Sequence, residues 1–470
     1  MRSLSLLTDF YNLTMMNAYV LDGMEQQTAC FDLFYRDHNG VSLAPVCGIE
    51  QISEFLSSLH FLPDEIEYLR SLGRFDESFL SQLENFRFTG DVYAMEEGGI
   101  AFPGEPILRV CAPLIQAQLI ETALLNILGH QTLIAAKSLA IVRAADGKPV
   151  FDFGLRRAQG PDAAIYGTRA GLIAGLSGTS NVLAAKMFSL PAVGTHAHSF
   201  VMSYPDELAA FRAYAKTFPD SCTLLVDTYD TLGSGVPNAI TVFNELRKAG
   251  HEPVGIRLDS GDLCDLSKKA RRMLDSAGFP DVKIVASSDL DEHSILQLKS
   301  CGAPIDIYGV GTRLITSWDA PSLGAVYKLA GYDAGNGFCP KMKRSETKGK
   351  STLPGVKQVY RLFDRATGLA AGDFIALADE PLPDSLPLKA FSVHGKAAYL
   401  DVQAGPALLQ PLILNGKPVI DIFSTVKAAQ KVKTDMKQID PRYTALRGAQ
   451  PYPIYLSKAL HELREELLSI

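Results

Sequence analysis

Two histidines at alternate positions close the short apolar run AVGTHAHSF, residues 192–200. A buried imidazole must find a partner for each ring nitrogen or it costs free energy. Where a strand stops, the same side chain can serve as a base or a nucleophile. Other apolar runs also end in chemistry. PVFDFG (149–154) leads into Arg156 and Arg157, and CTLLVDT (222–228) is followed by Asp230 after supplying Asp227. EPVGIRLD (252–259) brings Arg257 and Asp259, then Ser260 and Asp262. VKIVASSD (282–289) ends in Ser287, Ser288 and Asp289, and IDIYGVGT (305–312) in Gly309, Gly311 and Thr312, with Arg313 next. One such ending is explained as well by helix capping with Ser, Thr or Asp. Six in succession point to a site.

The residue types narrow the ligand. Arginines at 156, 157 and 257 can grip phosphate or carboxylate oxygens in pairs. Gly-Val-Gly-Thr after a strand offers backbone N–H groups and a hydroxyl, which suits phosphate. Carboxylates at 227, 230, 259, 262 and 289 can hold Mg²⁺ through water or simply cap helices. The combination describes a pocket for a phosphorylated sugar and a second anion.

Such residues need elements to position them. Between about 150 and 330 the apolar runs alternate with amphipathic stretches such as NAITVFNELRKAG (238–250) and LSKKARRMLDSAGF (266–279). This alternation predicts βαβ units, a parallel sheet and a closed or partial (β/α) barrel, with its reactive groups at the carboxyl ends of the strands. The strands are expected at the six runs named above, AVGT (192–195) included. Strand-like segments 28–36, 87–95 and 105–114 precede a long helix predicted from Gln116 to Ala144. After residue 340 come a basic loop, KMKRSETKGKSTLPG (341–355), the strand KQVYRLFD (357–364) and a closing helix, LSKALHELREELL (456–468). The fold expected is α/β: an open (β/α) barrel over 126–335 plus an α+β sandwich-like domain assembled from 1–125 and 336–470.

Composition sets outer limits. The chain has 470 residues, 47% hydrophobic, with a net charge of -7. That charge argues against general affinity for nucleic acid. No run of about 18 apolar residues is evident, so no membrane span is expected, and the N-terminal MRSLSLLTDFYNLTM is too interrupted for a secretory core. Seven scattered cysteines without a CxxC pair predict no disulfide framework, no cysteine zinc site and a reduced, cytoplasmic setting.

The motifs together resemble the nicotinate phosphoribosyltransferase family. The matching pieces are LLTDFYNLTM (6–15), FDLFYR (31–36), GIEQISEFL (48–56), FDFGLRRAQG (151–160), GLSGTSN (175–181), GTHAHSF (194–200), LLVDTYDT (224–231), GIRLDSGDL (255–263), GVGTRLITS (309–317), LGAVYKL (323–329) and KQVYR (357–361). They span most of the chain in family order.

This resemblance implies coupling of nicotinate to 5-phosphoribosyl 1-diphosphate, driven by ATP hydrolysis through a phosphohistidine, with Mg²⁺, in a homodimer whose active sites are shared. Carried over by position, His198 is the phosphorylated histidine and His196 fills a variable position. Tyr11, from the neighbouring subunit, and Phe153 would sandwich the pyridine ring. Thr195 and Arg257 would line the nicotinate site, with Arg156 near the reacting groups. Arg36, Asp259, Ser260, Ser287, Asp289, Gly309, Gly311 and Thr312 would serve the ribosyl diphosphate. Ser180 stands where nicotinamide-using relatives carry an aspartate, and its neutral hydroxyl suits a carboxylate. Cys339 stands alone, so the cysteine zinc knuckle of some members is not expected. Loop 341–350 is read as solvated, with a phosphate or ATP contact as the alternative. Trp318 is assigned packing only, and Lys328 either a phosphate contact or an exposed charge.

Three other readings are weaker. Quinolinate phosphoribosyltransferase lacks the GTHAH segment. A regulatory nucleotide-binding barrel would lose His198, Arg257 or Tyr11. A barrel aldolase needs a lysine at a strand end, and the six endings supply none.

Overall fold

Runs such as Lys283–Ser288 and Gly255–Leu258 are rich in β-branched and aliphatic residues, and Ile256, Leu258, Ile284 and Ala286 are wholly buried. Strands that are apolar on both faces belong in a parallel sheet covered by helices. The computed structural model bears this out, describing residues 3–37, 40–345, 351–382, 387–393, 395–419 and 424–469. The chain packs as two compact units, Ile134–Pro321 and the combination of Met1–Leu133 with Ser322–Ile470.

In the central unit six parallel strands follow the order Gly178–Thr179, Val150–Asp152, Ile307–Val310, Lys283–Ser288, Gly255–Leu258, Thr223–Leu225. Helices Val236–Lys248, Leu263–Ser276 and Glu292–Ser300 connect successive strands. The last two of these start at side-chain caps, and Asp230 caps the turn Thr231–Gly235 that leads into the first. Asp262 accepts from the N–H groups of Cys264 and Asp265, and Asp291 from that of Ser294. Asp230 caps Leu232 and Gly233 in the same way. For Asp230 and Asp262, capping is therefore the role the structure displays.

Five of the six expected strands form. AVGT does not: Pro191–Val193 touches the sheet only at its rim, where Val193 N–H donates to Thr179 and Thr179 N–H to Pro191. The sixth strand is instead Gly178–Thr179, within GLSGTSN. The long helix also differs, forming as Leu114–Leu119 and Glu121–Ala145. The second of these is long and apolar enough to cross a membrane, but 67% of its most apolar window is buried within the protein.

The other unit carries two large sheets and a two-stranded one that pairs Ala44–Pro45 with Ile100–Ala101. Seven antiparallel strands run in the order Phe338–Pro340, Ala325–Asp333, Thr28–Tyr35, Leu108–Pro113, Asp91–Met95, Leu409–Leu414, Lys417–Pro418. A mixed six-stranded sheet includes Lys357–Asp364 and Ala370–Leu377. Here the Lys357 ammonium, 1% exposed, lies 2.7 Å from Asp32. A buried lysine of this kind is tolerable only because it is paired.

The cysteine expectation needs correcting. Cys30 faces Cys111 in the antiparallel register, and the two are disulfide-bonded, as are Cys264 and Cys301. The partners are 81 and 37 residues apart in sequence, so no local spacing announces either pair. Among the described residues Cys47, Cys222 and Cys339 carry no disulfide, and Cys339 is exposed. Trp318 is 66% exposed rather than packed. Lys328 lies in strand Ala325–Asp333 and donates to the carbonyl of Tyr327. Of loop 341–350, residues 346–350 lie outside the described residues.

Candidate active site

Five of the predicted residues meet at the carboxyl ends of two neighbouring strands, Gly255–Leu258 and Lys283–Ser288, and the turn at 194–198. Arg257 organises them. Its Nε donates to Ser287 Oγ at 2.7 Å, one terminal nitrogen to Thr195 Oγ1 at 3.2 Å and the other to Asp259 Oδ1 at 2.6 Å. Ser287 donates to the same Asp259 oxygen at 2.5 Å. Burial alone would raise the Asp259 carboxyl. The Ser287 hydroxyl and the Arg257 charge outweigh it, holding the group below the usual carboxylate range. The second Asp259 oxygen lies 3.7 Å from His198 Nε2.

His198 opens the short helix His198–Met202 and is 39% exposed at its side chain. Its Nδ1 lies 3.1 Å from Thr228 Oγ1. The imidazole is thus held at both nitrogens' sides while one face stays open. Asp227, next to Thr228, accepts from the Asp259 N–H and the Ser260 hydroxyl, each at 2.7 Å, through Oδ2. Its Oδ1 is shielded from solvent and has no hydrogen-bond partner among the described residues.

The apolar wall is Phe153, whose ring centroid lies 5.4 Å from the Arg257 guanidinium carbon. Gly309 explains how the ring fits. A Cβ on Gly309 would meet Phe153 Cε2 at 2.5 Å, and one on Gly311 would meet the Phe153 carbonyl at 3.2 Å. Gly309 sits inside the ladder between Ser287 and Phe151. The displayed role of this glycine is room for the ring, where the sequence suggests an amide for phosphate. Gly311 and Thr312 begin the short helix Thr312–Ile315.

Asp152, fully buried, positions Phe153 and its neighbours. Its carboxylate accepts from Gly154 N–H and from the hydroxyls of Thr168 and Thr179, at 2.7, 2.7 and 2.8 Å. Its carbonyl accepts from Ser180 N–H at 2.8 Å, which places Ser180 beside the FDFG turn. Arg156 and Arg157 form an exposed turn and make no side-chain bond with described residues. Ser260 and Asp289 are exposed, and Ser288 between Ser287 and Asp289 adopts φ 150°, a conformation that favours glycine.

Tyr11 and Arg36 belong to the other unit. Tyr11 lies on helix Phe10–Leu21, 48% exposed, and burial of its hydroxyl end with the nearby Glu121 carboxylate pushes the phenol up to about 12. Arg36 follows strand Thr28–Tyr35, with its guanidinium 5.7 Å from the Phe34 ring centroid.

Sequence reasoning missed Thr228 and Asp152. Both sit inside quoted motifs, LLVDTYDT and FDFG, and a polar residue within an apolar strand end was the available signal. Among the described residues, one acidic cluster has metal-holding spacing, Glu292, His293 and Asp319. Lys137, 5% exposed, already fills it, 2.8 Å from Glu292 and 2.7 Å from Asp319.

Comparison with known proteins identifies the family. Residues 6–129, 149–337 and 356–464 match the N-terminal domain, the family core and the C-terminal domain described for nicotinate phosphoribosyltransferase. The chain is 49% identical to the nicotinate phosphoribosyltransferase of Bacillus subtilis over 83% of its own length and 79% of that protein. It is 40% identical to one from Mycobacterium tuberculosis, covering 96% and 91%. The crystal structure of human nicotinic acid phosphoribosyltransferase superposes with a TM-score of 0.88 at 29% identity, over 98% of this chain and 100% of that one. The chain belongs to the nicotinate phosphoribosyltransferase family.

Proposed function

We propose that this protein couples nicotinate to 5-phosphoribosyl 1-diphosphate, forming nicotinate mononucleotide and diphosphate, and drives the step by ATP hydrolysis through phosphorylated His198. The observation that carries the reading is the Arg257 fork, which ties Thr195, Ser287 and Asp259 together beside both Phe153 and His198.

In this reading the pyridine ring lies on Phe153 with its carboxylate toward Arg257. Aromatic stacking fixes the plane without engaging the ring nitrogen's lone pair. That nitrogen bonds to the anomeric carbon as the carbon–oxygen bond to diphosphate breaks, and diphosphate leaves with the electron pair. Positioning and stabilisation of separating charge are what the protein contributes. A ring nitrogen of His198 bonds to the γ-phosphorus of ATP as the bridging bond to the β-phosphate breaks and ADP leaves with the electron pair, and water later releases the group as phosphate. A phosphoryl group there adds negative charge beside the diphosphate site.

Ser180 presents no charge that would repel a carboxylate. Arg156, Arg36, Ser260, Asp289, Gly311 and Thr312 are read as contacts to the ribosyl diphosphate or to groups near it. The unpartnered Oδ1 of Asp227 is the carboxylate oxygen that would hold a Mg²⁺ ion, and such an ion would neutralise diphosphate charge.

We further infer that the parallel sheet is rolled as an open barrel. Thr179 on one outer strand bonds Pro191 and Val193, and Leu225 on the other bonds His196. Six residues reach at most about 20 Å. A homodimer that brings Tyr11 of the partner subunit over Phe153 completes the reading. Purified protein given nicotinate, phosphoribosyl diphosphate, Mg²⁺ and ATP tests it: formation of nicotinate mononucleotide with diphosphate is expected. No product under these conditions overturns it.

A further inference from the structure

His196 is the histidine of GTHAHSF that the proposed chemistry does not use. Its ring is 7% exposed, enclosed by Phe200, Phe211 and Tyr214 at centroid distances of 5.4, 6.1 and 4.7 Å. Its Nε2 lies 3.1 Å from the backbone nitrogen of Leu225. A backbone N–H can only donate, so Nε2 must be the unprotonated acceptor and the ring is neutral, with its proton on Nδ1.

The bond matters because of where Leu225 stands. Strand Thr223–Leu225 is the outermost of the parallel sheet and pairs on one side only, with Gly255–Leu258. An outer strand presents unpaired N–H groups, and Leu225, at 1% exposure, has no water to satisfy its own. His196 supplies the acceptor that a further strand would have supplied. AVGT fails to become that strand, and a side chain takes its place.

We infer that His196 is a positioning residue, clamping the 194–198 turn to the strand edge so that the two functional side chains flanking it are held in register. Thr195, one residue before, meets Arg257, and His198, two residues after, meets Thr228 and Asp259. Thr228 lies three residues beyond Leu225 on the same segment. The clamp therefore fixes His198 relative to the segment that carries its own partner. Burial holds the imidazole well below its ordinary pKa, at about 4, so the acceptor persists across the neutral range. The charges of Arg257 and His198 act in the same direction as burial, and a hydrogen bond with the Ala197 backbone opposes them without reversing the shift.

The clamp is a matter of structure, and only its effect on turnover rests on the proposed reaction. Two variants separate acceptor from volume: His196→Gln keeps an acceptor of similar reach, whereas His196→Leu keeps bulk without one. Hydrogen exchange at the Leu225 amide and nitrogen-15 shifts of the His196 ring read the clamp directly, whether or not the protein turns over nicotinate. The ring should show an unprotonated Nε2 at pH 7. Leu225 exchange should accelerate at least about tenfold in His196→Leu and much less in His196→Gln. In the coupling assay kcat should fall about tenfold in His196→Leu, with KM for nicotinate changing less than about threefold and His196→Gln recovering most of the loss. Unchanged Leu225 exchange in His196→Leu, or a protonated Nε2 in the wild type, overturns the clamp. A clamp intact in the wild type with full kcat in folded His196→Leu overturns its positioning role. A wild type that makes no product while Leu225 is protected would sink the proposed reaction and leave the clamp standing.

Discussion

The Arg257 guanidinium carbon lies 5.4 Å from the centroid of the Phe153 ring, with three other side chains held on the same fork. A planar cation beside an aromatic face is the arrangement that would receive a flat ring bearing a carboxylate. Lysine cannot reproduce a fork that reaches three oxygens. Arg257→Lys should lower kcat/KM for nicotinate about a hundredfold, near 3 kcal/mol, with KM rising. Steady-state kinetics against nicotinate checks this, and a KM unchanged within twofold of wild type, about 0.4 kcal/mol, would count against the assigned carboxylate contact.

Gly309 and Phe153 form a second pair. Adding one methyl at Gly309 places it 2.5 Å from the ring, inside a strand where backbone cannot retreat. Gly309→Ala should cost about 1–3 kcal/mol in stability and raise KM for nicotinate. Combining it with Phe153→Leu should cost less than the sum of the two single changes. Strict additivity in urea unfolding would show that the methyl and the ring do not meet.

Ser180 sits beside the FDFG turn through its bond to the Asp152 carbonyl. A carboxylate at this position would face the carboxylate of bound nicotinate. Ser180→Asp should reduce nicotinate turnover at least about tenfold and shift relative preference toward nicotinamide. A wild-type enzyme that turns over nicotinamide faster than nicotinate at equal concentration would refute the assignment.

His196 gives stability a pH dependence. Burial lowers its pKa from 6.5 to about 4, so between those values the unfolded chain binds a proton that the folded chain refuses. Stability from this group is complete above pH 6.5 and is lost as pH falls, amounting to about 3 kcal/mol by pH 4. Denaturant unfolding at pH 7.5 and pH 5 should show a loss in the wild type that is about 2 kcal/mol greater than in His196→Gln. Parallel losses in both proteins would mean the imidazole titrates normally.

Much of the parallel sheet was legible because apolar runs such as VKIVASS and GIRL are long enough to be read as strands. Gly178–Thr179 was not, since two residues carry no periodicity. AVGT read as a strand because its composition is right, yet Pro191 and Gly194 leave too short a run and the rim hydrogen bonds go elsewhere. Nothing in the sequence explains why the long helix breaks at Ile120. The residues that meet around Arg257 were legible because polar groups at strand ends stand out against apolar runs. Their partners were not: the bonds of Thr228 to His198, His196 to Leu225 and Cys30 to Cys111 join positions 30, 29 and 81 residues apart. Contacts at that separation are set by the fold, and local spacing carries no trace of them. Gly309 carries a role that local sequence does not display: its missing side chain leaves room for the Phe153 ring.

The most direct measurement is a phosphate label followed on the protein during turnover, with wild type and His198→Ala run side by side, with and without ATP. The account predicts that ATP stimulates product formation in the wild type, that the label appears on the protein, and that both are lost in His198→Ala. Product formation indifferent to ATP and to His198 would contradict it, leaving the family membership in place but removing the phosphohistidine from the mechanism.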